Sequence, residues 1–156
     1  MRASRGVTLI EMLIVVALLG LLVGITFPSV TAGIDSLRIA SAANSVVSFL
    51  NGALNRAERL QEVVEIEITP GASRLVLRST RPGFERELEL PDGVTVRSVL
   101  PENRSAPGQP RHILVFPGGT VPRIGVDLVN HRGTRRIVRV DPATGAPQIE
   151  RPEETR

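Results

Sequence analysis

From Val7 to Phe27 the chain is an almost unbroken apolar run of 21 residues, interrupted by one acid, Glu11. Wound as an α-helix at about 1.5 Å per residue, such a run extends roughly 30 Å, the thickness of one hydrocarbon core. A carboxylate placed there costs about 2.5–3.5 kcal/mol near a bilayer centre and less near an interface, so a retained charge calls for a partner charge. Arg2 and Arg5 precede the run and the next arginine is Arg38. The excess of positive charge on the N-terminal side puts the N-terminus in the cytoplasm and the remainder outside.

Two plainer readings compete. A cleaved secretory signal would have this basic start, this apolar centre and a small-residue site at Val30-Thr31-Ala32. A simple single-span anchor needs only the apolar run. Both leave Glu11 without a partner, and neither explains why helical spacing continues past Pro28 for another thirty residues. Ile34, Leu37, Ala43, Val46, Leu50, Ala53 or Leu54, Ala57 and Leu60 recur at i, i+3, i+4 intervals, with Asp35, Arg38, Ser41, Ser45, Ser48, Asn55 and Arg59 on the other sides. Pro28 removes one backbone hydrogen bond and is a candidate kink. Gly20 and Gly24 either let helices approach closely or loosen the helix just before it.

Beyond Gln61 the period changes from helical to alternating. Val64–Ile68, Arg74–Arg78, Glu85–Leu90, Val94–Arg97, His112–Phe116, Arg123–Leu128, Arg136–Val140 and Pro147–Glu150 read as short strands. Pro70-Gly71, Pro82-Gly83, Pro91-Asp92-Gly93, Pro117-Gly118-Gly119, Arg132-Gly133 and Ala143-Thr144-Gly145 punctuate them as turns. Close spacing of this kind implies an antiparallel sheet, whose apolar face the preceding amphipathic helix covers. Residues 101–110 read as an exposed loop between two halves of that sheet, and residues 151–156 as a charged, flexible tail.

Little in this sequence supports catalysis. Without cysteine there is no thiol nucleophile, disulfide or cysteine metal site. His112 and His131 stand apart from each other and from any motif; Asp127, Asp141 and Glu150 are dispersed. Gly118-Gly119 is not followed by the Lys-Ser/Thr pair of a phosphate-binding loop. Glu85, Glu87 and Glu89 alternate on one strand as a solvated face. No metal or cofactor is expected. Trp and Tyr are absent and Phe occurs four times, so stacking surfaces for bases are poorly supplied, and a net charge of +3 does not by itself imply nucleic acid. The sharper feature is the cluster Arg132, Arg135, Arg136 and Arg139 beside His131. Four guanidinium groups around one turn can grip phosphates, or they can pair with nearby acids as a solvated hairpin.

The segment Gly6-Val7-Thr8-Leu9-Ile10-Glu11, followed by Met12-Leu13-Ile14-Val15-Val16 and by Pro28 22 residues after Gly6, resembles the processing signal of type IV pilins and type II secretion pseudopilins. The family usually carries Phe where Val7 stands. The stretch from Val115-Phe116-Pro117-Gly118-Gly119 through residues 136–140 and Thr144-Gly145 resembles, more loosely, the type II secretion protein H domain and the related FimT and FimU type of minor pilin. These resemblances imply cleavage by prepilin peptidase between Gly6 and Val7 and N-methylation of Val7. In a staggered helix bundle, Glu11 would then meet the terminal ammonium of a neighbouring subunit. Pairing lowers the desolvation cost of both charges and sets axial register.

The implied organisation is a leader at 1–6, a transmembrane and filament-core helix at 7–30, an amphipathic helix at 31–61, a periplasmic β-rich head at 62–150 and the tail at 151–156. The expected fold is α+β and pilin-like: one long N-terminal helix whose amphipathic half packs on an antiparallel β head. The expected place is the bacterial inner membrane, single-pass, with the head in the periplasm and later in a periplasmic filament. Partners implied are prepilin peptidase, other pilins or pseudopilins, the inner-membrane assembly platform and membrane lipid. The leading expectation is a minor pseudopilin near the filament tip. The alternative is a minor pilin of a type IV pilus or DNA-uptake system, touching DNA through the C-terminal arginines, as the family precedent allows.

Overall fold

A computed structural model describes residues 8–81, 83–103 and 105–151; within its helix the side chains of 25 and 27–31 are outside the described set. The elements are one helix, α1 (Leu9–Leu60), and eight strands: β1 (Val64–Ile68), β2 (Arg74–Ser79), β3 (Glu85–Glu89), β4 (Val94–Leu100), β5 (Arg111–Val115), β6 (Gly125–Asn130), β7 (Arg135–Val140) and β8 (Pro147–Glu150). The chain divides into two compact units, Met1–Ile34 and Asp35–Arg156.

In the first unit, α1 begins on Thr8. Its hydroxyl accepts the Glu11 backbone N–H at 3.3 Å and its carbonyl accepts that of Met12 at 3.2 Å. Threonine at the cap with glutamate three residues on is the sequence of a capping box, and it satisfies a backbone donor that the first helical turn leaves without a partner. The helix continues as a single element through position 28. The expected kink falls on Pro28, whose side chain lies outside the described residues.

The second unit holds the core. From α1 it takes Ile39, Ala42, Ala43, Val46, Phe49, Leu50, Ala53 and Ala57, all at most 2 % exposed. The helical stripe read from sequence is therefore right at Ala43, Val46, Leu50, Ala53 and Ala57 and wrong at its ends. Ile34, Leu37 and Leu60 are exposed, at 45 %, 72 % and 41 %. The buried face runs back instead through Ile39 to Asp35, one turn earlier on the same side. At the other end Gln61 takes a positive φ of 51° and the Glu62 N–H returns to the Ala57 carbonyl at 3.3 Å, which closes the helix.

The strands form two four-stranded antiparallel sheets, ordered β3-β2-β1-β5 and β4-β6-β7-β8, rather than one sheet in two halves. After β3 the chain leaves the first sheet to start the second with β4. The loop at 101–110 then carries it back, and β5 pairs with β1 in the register Val64↔Val115. A local pattern cannot reveal this exchange, because β4 and β5 alternate like their neighbours. Val64, Ile66, Ile68, Leu75 and Leu77 of the first sheet share one buried cluster with Val94, Val96, Val126, Leu128, Val138 and Val140 of the second and with the helical stripe. The β1–β2 turn is hydrogen-bonded to β4: Gly71 N–H to the Val96 carbonyl (2.7 Å) and Val96 N–H to that of Ala72 (2.9 Å).

The turns before β4 and between β6 and β7 meet. Gly93 has φ +80°, and a Cβ there would come 3.0 Å from Nδ1 of His131, so both conformation and space call for glycine. The His131 N–H donates to the Gly93 carbonyl at 3.1 Å. Asn130 closes the β6–β7 turn, its Oδ1 accepting the N–H groups of Arg132 (3.0 Å) and Thr134 (2.9 Å).

Candidate functional site

The first candidate is the apolar stretch of α1. Leu9 is 87 % exposed, and Ile10, Leu13, Val16, Leu19 and Leu22 are all more than half exposed. Successive residues point about 100° apart, so the exposed side chains face every direction round the helix. An apolar surface on all sides requires a cover of lipid or of other helices. A Cβ added at Gly20 or Gly24 would meet nothing within 4 Å. Two small positions are thus open to an approaching helix. Among the described residues no helix is long and apolar enough to cross a membrane.

Glu11 lies exposed in the first turn of this helix. An acid in the first turn lies near the positive end of the helix dipole, where a negative charge is favoured. The Thr8 cap, which sequence reading overlooked, was signalled by the T-x-x-E spacing. Gly6 and Val7, the expected cleavage and methylation positions, lie outside the described residues.

The second candidate is the arginine cluster, which the structure resolves into separate pairs. Nε of Arg132 donates to Oδ2 of Asp35 at 2.5 Å; His131 Nε2 lies 3.2 Å and Arg38 Nη1 3.8 Å from the same carboxylate. Nη2 of Arg135 donates to Oδ2 of Asp127 at 2.5 Å and its Nε to Oδ1 at 3.3 Å. Arg139 pairs with Glu150 at 3.1 Å across β7 and β8. Arg136 donates to the Arg135 carbonyl at 3.0 Å and makes no ion pair among the described residues. Three of the four guanidiniums expected to face phosphates therefore face carboxylates. Asp35 and Asp127 are buried, at 6 % and 1 % exposed. The sequence spacing puts Asp35 on the polar side of the helix and leaves Asp127 as one of several dispersed acids. An aspartate one turn before Ile39 on the buried helical face was the available signal for Asp35.

The histidines are likewise engaged. His112 Nδ1 lies 2.8 Å from Oε1 of Glu65, and His131 belongs to the Asp35 group. Glu85 and Glu87, read as a solvated face, pair across strands with Arg78 (3.2 Å) and Arg74 (3.4 Å); Arg78 also holds Glu67 at 2.5 Å. That Arg78 hydrogen bond is the main cause holding Glu67 below its ordinary carboxylate range.

Asp35 carries a pH signature. The Arg132 hydrogen bond, opposed by desolvation and aided by the charges of His131, Arg132 and Arg38, holds its carboxyl below the ordinary range. A depressed folded-state value means that this group stabilises the fold above its unfolded pKa and that the contribution disappears as pH falls through the folded value. In urea titrations of the full chain in detergent, Asp35→Asn should be less stable than wild type at about pH 5, with the gap closing toward about pH 2. A gap that stays constant across that range would contradict the assignment.

Residues 1–27 match the family described as the prokaryotic N-terminal methylation motif, which is typical of type IV pilin-like proteins. No curated protein and no solved structure matches the chain.

Proposed function

We propose that this chain is a type IV pilin-like filament subunit and, within that class, a minor pseudopilin of a type II secretion system. The observation that carries the proposal is the helical run exposed and apolar on every side, with one carboxylate in its first turn, lying within the methylation motif. In this reading prepilin peptidase removes residues 1–6, Val7 is N-methylated, and the apolar helix waits in the inner membrane with the head in the periplasm. The assembly platform then moves it into a filament, where neighbouring helices replace lipid around it. The work is mechanical rather than catalytic. The assignment to secretion leans on the strand-and-glycine pattern of the head. A pilus or DNA-uptake subunit would share the signal but not the partners, and the carboxylate pairs of Arg132, Arg135 and Arg139 leave Arg136 as the residue for a DNA test.

Glu11 sets register in this account. Its carboxylate meets the ammonium of a neighbouring Val7, which compensates two charges that would otherwise be buried alone. Glu11→Val, expressed beside wild type, should reach the membrane at normal levels yet enter sheared or cross-linked filaments at least about tenfold less often, the ratio of a 1.4 kcal/mol pairing deficit. Equal incorporation would sink the register role.

A further inference from the structure

We propose that a cleft at one end of the second sheet binds the C-terminal residue of an extended polypeptide, taking its apolar side chain and its free carboxylate together. The cleft measures about 460 Å³, within the usual range of ligand sites. It lies where Leu100 of β4, Gly125 of β6 and Arg139 of β7 are paired side by side. Ile124 and Val140, 3 % and 1 % exposed, tie it to the rigid core, and the Val140 N–H donates to the Ile124 carbonyl at 2.9 Å. Leu100, Pro101 and Pro142 add apolar walls. Gly125 lets the Leu100 side chain lie across it, since a Cβ would approach within 3.1 Å.

Arg123 and Arg139 are the two charged residues lining the cleft. Arg139 already shows the chemistry, with Nε 3.1 Å from the Glu150 carboxylate. Arg123 is exposed and makes no ion pair or hydrogen bond among the described residues. A planar guanidinium binds a carboxylate through two parallel hydrogen bonds. An apolar floor beside an uncommitted guanidinium therefore selects an apolar group joined closely to an anion. A C-terminal leucine or valine carries both on one Cα. A fatty acid holds its carboxylate at the end of a chain, away from most of its apolar surface. The site is independent of filament membership, so its failure would leave the proposed function untouched.

The test is calorimetric titration of the purified full chain in detergent with three probes: acetyl-Gly-Ala-Leu, the same peptide as its C-terminal amide, and hexanoate. Saturable binding of the free-acid peptide is expected, at least about tenfold tighter than the amide or hexanoate. Arg123→Gln should weaken the free acid about tenfold without changing the melting temperature, and Arg123→Lys should recover part of the loss. Equal binding of acid and amide, hexanoate matching the peptide, binding unaffected by Arg123→Gln, or no saturable binding up to about 10 mM peptide would each overturn the proposal.

Discussion

Arg135→Ala is expected to cost about 3 kcal/mol of stability, the low end of the range for breaking a buried ion pair. The reason lies in what it leaves behind. The Asp127 side chain is 2 % exposed, and its hydrogen bonds among the described residues come from Arg135 alone. Truncating the arginine leaves a buried carboxylate without the hydrogen bonds that compensate it. The Arg135 side chain is itself 35 % exposed, so the reverse loss is partly offset by hydration of the free guanidinium. Asp127→Leu with Arg135→Leu should recover most of the stability, because two apolar groups replace the pair without stranding a charge. Urea midpoints of wild type, both single variants and the double variant form the cycle that measures this. An Arg135→Ala protein as stable as wild type would show that Asp127 is hydrated or paired elsewhere. The expectation also bears on DNA binding. Loss of DNA retention in Arg135→Ala would mix a lost contact with a stranded Asp127 carboxylate, whereas Arg136→Ala removes a guanidinium without orphaning a carboxylate.

Leu50→Ala should destabilise the chain by about 2–5 kcal/mol, while Leu37→Ala stays within about 0.5 kcal/mol of wild type. Both leucines belong to the stripe read from the sequence. Leu50 is 1 % exposed, inside the cluster shared by the helix and both sheets, and its truncation leaves a cavity that close-packed neighbours fill only in part. Leu37 is 72 % exposed and has little burial to lose. Thermal unfolding of the full chain in detergent checks the contrast. Comparable losses at the two positions would mean that the buried face of the helix is wrongly placed.

That contrast marks where the sequence stops being legible. Strands announce themselves through alternation and turn residues, which are local, so β1 and β8 have the bounds their residues suggest and the other six shift at their ends. Positive φ at Gly71, Gly93, Gly133 and Gly145 falls within the anticipated turns for the same reason. The phase of the amphipathic helix depends on what it meets. Ile34 and Leu37 are spaced as plausibly as Ile39 and Ala42, and only the two sheets decide between them. Asp35 finds Arg132 97 residues away, and Asp127 is buried by a partner on the adjacent strand. Neither charge state nor burial of these acids follows from spacing. The exchange of β4 and β5 between sheets is hidden in the same way. The opposite holds at the N-terminus, where the match to the methylation motif is a linear pattern rather than a product of folding. Its informative residues, Gly6 to Glu11, therefore stand in the sequence itself.

In the proposed function this N-terminus is processed and the chain then assembles. The intact mass of the membrane-extracted protein tests it most directly. A mature chain beginning at N-methylated Val7, without residues 1–6, is the predicted result. An intact chain still carrying Met1, or a cut after Ala32, would contradict the account.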